Sequence, residues 1–264
     1  MLPTLNTLWV GGHLTWVEAV CLAAAVRHGH KTILWCYQPV SGVPDGVVVA
    51  DAERVLPFSQ MVFHEKKQSW GVGADLFRVE LQKHQLGPWI DADVYLLRPI
   101  WIDPATPLFG LQKPGLINNA VLYLPCDHEI LRGLSSLLAG DELVPWWYPA
   151  WKRRLHSLRR RLSRRPIPLS RQIWGITGPR ALTFVAKELG YLDAAAPPDV
   201  FYPFGPKEAQ ISFEPASVVE ARLTNNTIGV HLWNAQIADR KGRSPPAGSF
   251  ADKICKWEGI QGVA

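Results

Sequence analysis

Apolar residues along the chain fall into short runs separated by longer stretches in which they recur every three or four positions. Residues 6–10 and 32–37 read as strands. Residues 14–28 between them read as a helix with Val17, Val20, Cys21, Ala24 and Ala25 on the inner face. Residues 47–50 form a short β-like run, 75–84 a helix with Leu76, Val79, Glu80 and Lys83 setting its faces, 89–90 a short strand, and 119–124 another strand. Residues 182–189 read as helical, 200–204 as an extended segment rimmed by prolines, and 228–232 as a late strand. This alternation predicts an α/β fold, in which ligands bind beyond the carboxyl ends of the strands.

The 264 residues, 47% of them hydrophobic, suffice for one core, and residues 1–264 read as a single domain without an internal repeat. No run of 18 apolar residues suggests a membrane span, and the N-terminus shows no basic region followed by an apolar core and cleavage site. Cys21, Cys36, Cys126 and Cys255 are widely spaced, which fits reduced thiols in a cytoplasm better than a zinc site.

One stretch departs from this composition. Residues 146–165, WWYPAWKRRLHSLRRRLSRR, hold eight basic residues and no acid, while Trp151, Leu155, Leu158 and Leu162 recur at helical spacing. Taking those eight from the 28 Lys and Arg leaves 20 against 23 acidic residues, so the net charge of +5 is local to this insertion. A striped, arginine-rich helix beside a Trp-Trp-Tyr cluster suits the interface of an anionic membrane. The same pattern also serves a solvated helix whose leucines pack on their own domain. Nothing else in the chain supports nucleic-acid binding.

The candidate chemistry lies at residues 74–97. Asp91 and Asp93 follow the short apolar pair Trp89-Ile90, and Gly87-Pro88 punctuate the approach. Alternate residues of a strand point to opposite faces, so the two carboxylates can share a site only if the strand ends there and turns. Asp-x-Asp at a strand end suits a hard divalent cation, Mn2+ or Mg2+, although the pattern is also common in turns. Asp75 and Arg78, three residues apart, share a helix face and could form a plain surface salt bridge. His231 could be a third ligand or a core histidine. Asn118 and Asn119 could contact sugar hydroxyls or form a turn.

The run Ala74-Asp75-Leu76-Phe77-Arg78, the later Gly87-Pro88-Trp89-Ile90-Asp91-Ala92-Asp93, the opening LWVGGHLTWVEAVCLAAAVRHGHKTILWCY, Asn118-Asn119-Ala120-Val121, Thr177 to Thr183 and His231-Leu232-Trp233-Asn234 together resemble the glycosyltransferase sugar-binding region containing the DXD motif. This is the family 32-like group related to the transferase domains of the large clostridial toxins. Ala74 replaces that family's usual Ser, and Pro88 a Gly. The resemblance implies a GT-A type nucleotide-binding fold, a single mixed sheet flanked by helices. It also implies a metal-dependent, retaining hexosyltransferase of the kind used in polysaccharide biosynthesis. By resemblance, Asp91 and Asp93 serve catalysis and hold the metal with His231, while Asp75, Arg78, Asn118, Asn119 and Trp233 bind the donor. The donor is then a nucleotide-diphosphate sugar, uridine favoured over guanosine, and the acceptor a glycan or glycolipid. With the basic helix, the expected location is cytoplasmic, peripheral on the inner face of the membrane.

Two other classes compete. A haloacid-dehalogenase-like phosphatase would use Asp91 as nucleophile, but its motif belongs near the N-terminus and ends in Thr where Tyr95 stands. A non-enzymatic membrane adaptor would leave the acidic and basic constellation without a role.

Overall fold

The computed structural model describes residues 1–139, 148–163 and 168–260. Strands β1 (Leu5–Trp9), β2 (Thr32–Cys36), β3 (Val47–Asp51), β4 (Trp89–Ile90), β6 (Leu108–Lys113) and β7 (Leu116–Tyr123) form a six-stranded sheet in the order β3-β2-β1-β4-β7-β6. The first four strands run parallel, and β7 and β6 are antiparallel additions. Beside this sheet, β5 (Val94–Leu96) and β8 (Gly229–His231) make a separate antiparallel ribbon.

Helices lie in two of the three connections between the parallel strands, those from β1 to β2 and from β3 to β4, while β2 and β3 are joined by a loop. Helix α1 (Trp16–Arg27) follows β1 and buries all five residues assigned to its inner face. Its start is fixed by Glu18, whose carboxylate accepts from the Thr15 amide at 2.8 Å and the Thr15 hydroxyl at 2.6 Å. With α8 (Phe250–Trp257) it covers one face of the sheet. Helices α2 (Gly71–Lys83), α3 (Glu129–Leu138) and α5 (Pro179–Glu188) cover the other, where Phe77, Leu81, Trp89, Leu134 and Leu182 are buried. Helix α4 (Ala150–Ser163) lies between α3 and α5 in the chain, and α6 (Pro198–Phe201) and α7 (Ala216–Glu220) are short.

Three expectations need correction. Helix α2 begins at Gly71 rather than residue 75, and its first turn carries two glycines against which other side chains pack closely. A Cβ on Gly73 would lie 2.6 Å from the Met61 methyl. Residues 200–201 close the short helix α6 rather than extending, since Pro198 opens it and its fixed φ suits a helix's first turn, and 202–204 form no strand. Asn118 and Asn119 sit within β7, not in a turn before it. The turn falls at Pro114-Gly115, where Gly115 takes φ +73° and joins β6 to β7.

All four cysteines are free thiols. Among the described residues no helix is long and apolar enough to cross a membrane.

Candidate active site

The strand carrying Asp91 stops at Ile90 because the chain turns there. The Val94 amide bonds the Asp91 carbonyl at 3.0 Å, and the Asp91 amide bonds Ala120 of β7 at 2.7 Å. That turn brings Asp91 and Asp93 to one place despite their spacing. The chain then re-enters an extended course as β5, whose partner β8 delivers His231 opposite Val94, while the Leu232 amide bonds the Asp93 carbonyl at 2.8 Å. Ligand atoms of Asp91, Asp93 and His231 lie within 4.8 Å of one another at the carboxyl edge of the parallel strands.

Electrostatics tie this group together. Asp93 Oδ2 accepts from the Asn234 amide at 2.6 Å and lies 3.2 Å from His231 Nε2. Burial alone would raise the Asp93 pKa, but the imidazolium and the Asn234 amide outweigh it, and the carboxyl is held below its ordinary range. Burial likewise works against the charged His231, yet the Asp93 carboxylate prevails and its pKa is raised. His231 Nδ1 is buried without a hydrogen-bond partner among the described residues. Two carboxylates and an imidazole with an orphaned nitrogen form a donor set that fits a divalent cation such as Mn2+ or Mg2+.

Arg78 and Asp75 are buried, which removes the surface salt-bridge reading. The Arg78 guanidinium donates Nη1–H to the Asn119 carbonyl at 2.6 Å and Nε–H to the Ala74 carbonyl at 3.2 Å. Its Nη2 lies 3.1 Å from Asp91 Oδ1 and 3.6 Å from Asp75 Oδ1, and the group stands 4.7 Å from the centre of the Trp89 ring. Trp89 Nε1–H also donates to Asp91 Oδ1, at 2.6 Å. These two side chains aim the Asp91 carboxylate. Asp75 accepts from Asn119 Nδ2 at 2.9 Å and from the Thr177 hydroxyl at 2.7 Å. Burial raises its pKa against the pull of Arg78, Thr177 and Asn119.

Asn118 is one strand position away, with Nδ2 donating to Gln112 and Oδ1 accepting from the Ala120 amide. Trp233 adopts left-handed φ +60°, a conformation seldom taken by bulky residues and typical of functional sites. Its ring stacks on His231 at 4.0 Å between centroids, and its Nε1–H bonds the Phe204 carbonyl. It therefore fixes the imidazole from the side.

Sequence reasoning assigned no site role to Thr177, Gly178, Asn234, Glu18 or Lys241. A Cβ on Gly178 would lie 2.4 Å from Asp75 Oδ1, so only glycine admits the carboxylate there. Glu18, fully buried, accepts from Asn234 Nδ2 at 2.6 Å and pairs with Lys241, which anchors the segment after β8. Glu18 thus both caps α1 and reaches across 216 residues to Asn234.

The fold and this site define a class, a mixed α/β sheet flanked by helices and carrying an acidic, histidine-completed group that could hold a divalent metal at its carboxyl edge. Residues 170–257 match the family model described as the alpha 1,4-glycosyltransferase conserved region, which supports a glycosyltransferase. That stretch carries Thr177, Gly178, His231 and Asn234. A search of curated proteins found no match. Among solved structures, the PaToxG glycosyltransferase is similar with a TM-score of 0.44 and 13% identity, covering 73% of this chain and 73% of its own.

Proposed function

We propose that this glycosyltransferase is metal-dependent and retaining, moving a hexose from a nucleotide-diphosphate sugar to a glycan or glycolipid acceptor. The observation that carries the reading is the convergence of Asp91, Asp93 and His231 within 4.8 Å, with Asp91 held by Arg78 and Trp89. A divalent ion bound there would neutralise charge developing on the leaving phosphate. Asp91, Asp93 and His231 would hold it. The Asp75–Asn119–Thr177 cluster offers polar groups to the sugar.

In the transfer, the bond from the anomeric carbon to the diphosphate breaks and its electron pair leaves on the phosphate oxygen. The acceptor oxygen bonds that carbon from the same face, and its proton passes to the departing phosphate. Retention rests on the family 32-like resemblance, as does the preference for a uridine donor. Asp91 is already occupied by Arg78 and Trp89, an arrangement for a fixed carboxylate rather than a free nucleophile, which disfavours the phosphatase reading.

The reading includes an acceptor at the cytoplasmic face of an anionic membrane. In support, Trp151, Leu155, Leu158 and Leu162 of α4 are all exposed, so the apolar stripe is open to solvent. The remaining part of that motif, including Trp146, Trp147, Arg164 and Arg165, lies outside the described residues.

A thermal-shift panel of uridine and guanosine diphosphate sugars, with and without Mn2+, tests the proposal. A metal-dependent shift with one donor is expected. Equal shifts with and without metal, or none with any nucleotide sugar, would remove it.

A further inference from the structure

The segment that joins α4 to α5 presents two apolar side chains to solvent, Ile173 at 51% and Trp174 at 40% exposure. Single exposed apolar residues are ordinary, but the backbone just before these is tied to the loop that precedes α2. The His64 imidazole Nε2 bonds the Gln172 carbonyl at 2.9 Å, the Glu65 amide bonds the Ser170 carbonyl at 3.0 Å, and Glu65 pairs with Arg171 at 2.7 Å. Gly175 turns with φ +76°, and its carbonyl accepts from the Arg180 amide of α5. The Trp174 ring meets His64 edge-on at 5.3 Å and 87°. Its indole N–H makes no hydrogen bond among the described residues.

The ring's seat shows where it belongs. A Cβ on Gly71 would fall 2.4 Å from the Trp174 ring, so the missing side chain lets the indole lie against the start of α2. Gly71, Asp75 and Arg78 follow one another at spacings of four and three residues, which places them on one face of that helix. Along this face the contacts run in order: Trp174 over Gly71, Thr177 and Gly178 on Asp75, and Asp91 against Arg78. From Gly71 to Arg78 the rise is about 10 Å. The metal group thus stands at one end of a polar strip and a fixed aromatic ring at the other, with the Asp75 cluster between.

We propose that Trp174 is the stacking platform for an acceptor pyranose, with Ile173 extending its apolar edge. A pyranose has an apolar C–H face suited to an aromatic ring and hydroxyls suited to adjoining polar groups, and amphipathic recognition of this kind uses Trp above all. The donor, anchored through its phosphates at the Asp91 end, would lay its sugar toward Asp75, and the acceptor would meet it from the Trp174 end. This inference rests on the transferase reading, so its test must separate the two.

Saturation-transfer NMR on the full chain with Mg2+ and UDP, using methyl glucoside, galactoside and mannoside and lactose as probes, reads sugar contact. Calorimetric titration of UDP with Mg2+ reads the donor end separately. Trp174→Ala should reduce saturation of at least one probe about tenfold, Trp174→Phe should restore most of it, and Gly71→Ala should weaken it by pushing the ring from its seat. UDP affinity should change less than twofold in Trp174→Ala. Sugar contact unaltered in Trp174→Ala, or absent for every probe in the parent protein, would overturn the proposal. Loss of binding to anionic vesicles in Trp174→Ala with unchanged sugar contact would assign the ring to lipid and overturn it equally. Failure of UDP to bind the parent protein would remove the transferase reading while leaving any Trp174-dependent sugar contact as a separate result.

Discussion

Replacing Arg78 by lysine separates a guanidinium that aims a carboxylate from one that merely neutralises it. Arg78 serves the carbonyls of Asn119 and Ala74 and the carboxylates of Asp91 and Asp75 at once, from a side chain 6% exposed. One ammonium cannot span those directions. Leaving the buried Asn119 carbonyl unpaired costs about 1 to 3 kcal/mol. Losing the partner of Asp91 adds to this, though less than the 3 to 5 kcal/mol typical of a fully buried pair, because Asp91 is 24% exposed and water can replace part of the contact. A total of about 2 to 4 kcal/mol should lower the melting temperature by roughly 4 to 16 °C, measured by circular dichroism in EDTA so that metal binding does not enter. In the same variant Mn2+ affinity should fall about 10- to 100-fold, as it does when groups behind a ligand are lost. A double-mutant cycle with Asp91→Asn should then show coupling of about 0.5 to 3 kcal/mol. A melting temperature within about 2 °C of the parent, together with unchanged Mn2+ affinity, would refute the assignment.

Asp93→Asn should preserve the fold and reduce transfer by about 10² or more; metal-dependent turnover near the parent rate would contradict its place in the site. For His231 the raised pKa means that metal must displace a proton, so Mn2+ affinity should keep rising with pH beyond about 6.5 and lose that dependence in His231→Ala. In the metal-free protein the same pair sets a stability window. The His231 contribution is complete below its unfolded pKa of about 6.5 and is lost as pH rises through its raised folded value. The Asp93 contribution is complete above about 3.9 and is lost as pH falls through its depressed value. Melting temperatures in EDTA should therefore peak between, and a flat profile would argue against the pair. Arg153, Arg154 and Arg161 are exposed on α4, and changing all three to Gln should weaken binding to anionic vesicles at low salt, by about 1 kcal/mol for each. Identical co-sedimentation of variant and parent would leave α4 without a lipid role.

The first half of the sheet was legible because its strands are apolar runs and α1 presents a clear inner face. Asp91 and Asp93 stood out for the same local reason, an apolar pair that stops at a carboxylate. What escaped were elements whose identity comes from distant partners. Strand β6 exists by pairing with β7 and reads LFGLQK, neither alternating nor uniformly apolar. Helix α2 lost its first turn to two glycines that only Met61 and Trp174 explain. Within the site, sequence spacing could join Asp75 to Arg78. It could not show that Arg78 turns toward Asp91, that Thr177 reaches Asp75 across 102 residues, or that Asn234 holds Asp93 through its amide.

The β5–β8 ribbon has a consequence for how the protein is made. Asp93 is translated early and His231 late, and the two meet only when β8 closes on β5. At the roughly 5 to 20 residues per second of synthesis, the parallel strands can form before β8 has been added. A growing or prematurely ended chain would carry a sheet with two bare aspartates and no imidazole beside them. The three β5–β8 residue pairs therefore complete the group only after His231 has been added, so chains that stop before β8 should bind Mn2+ poorly.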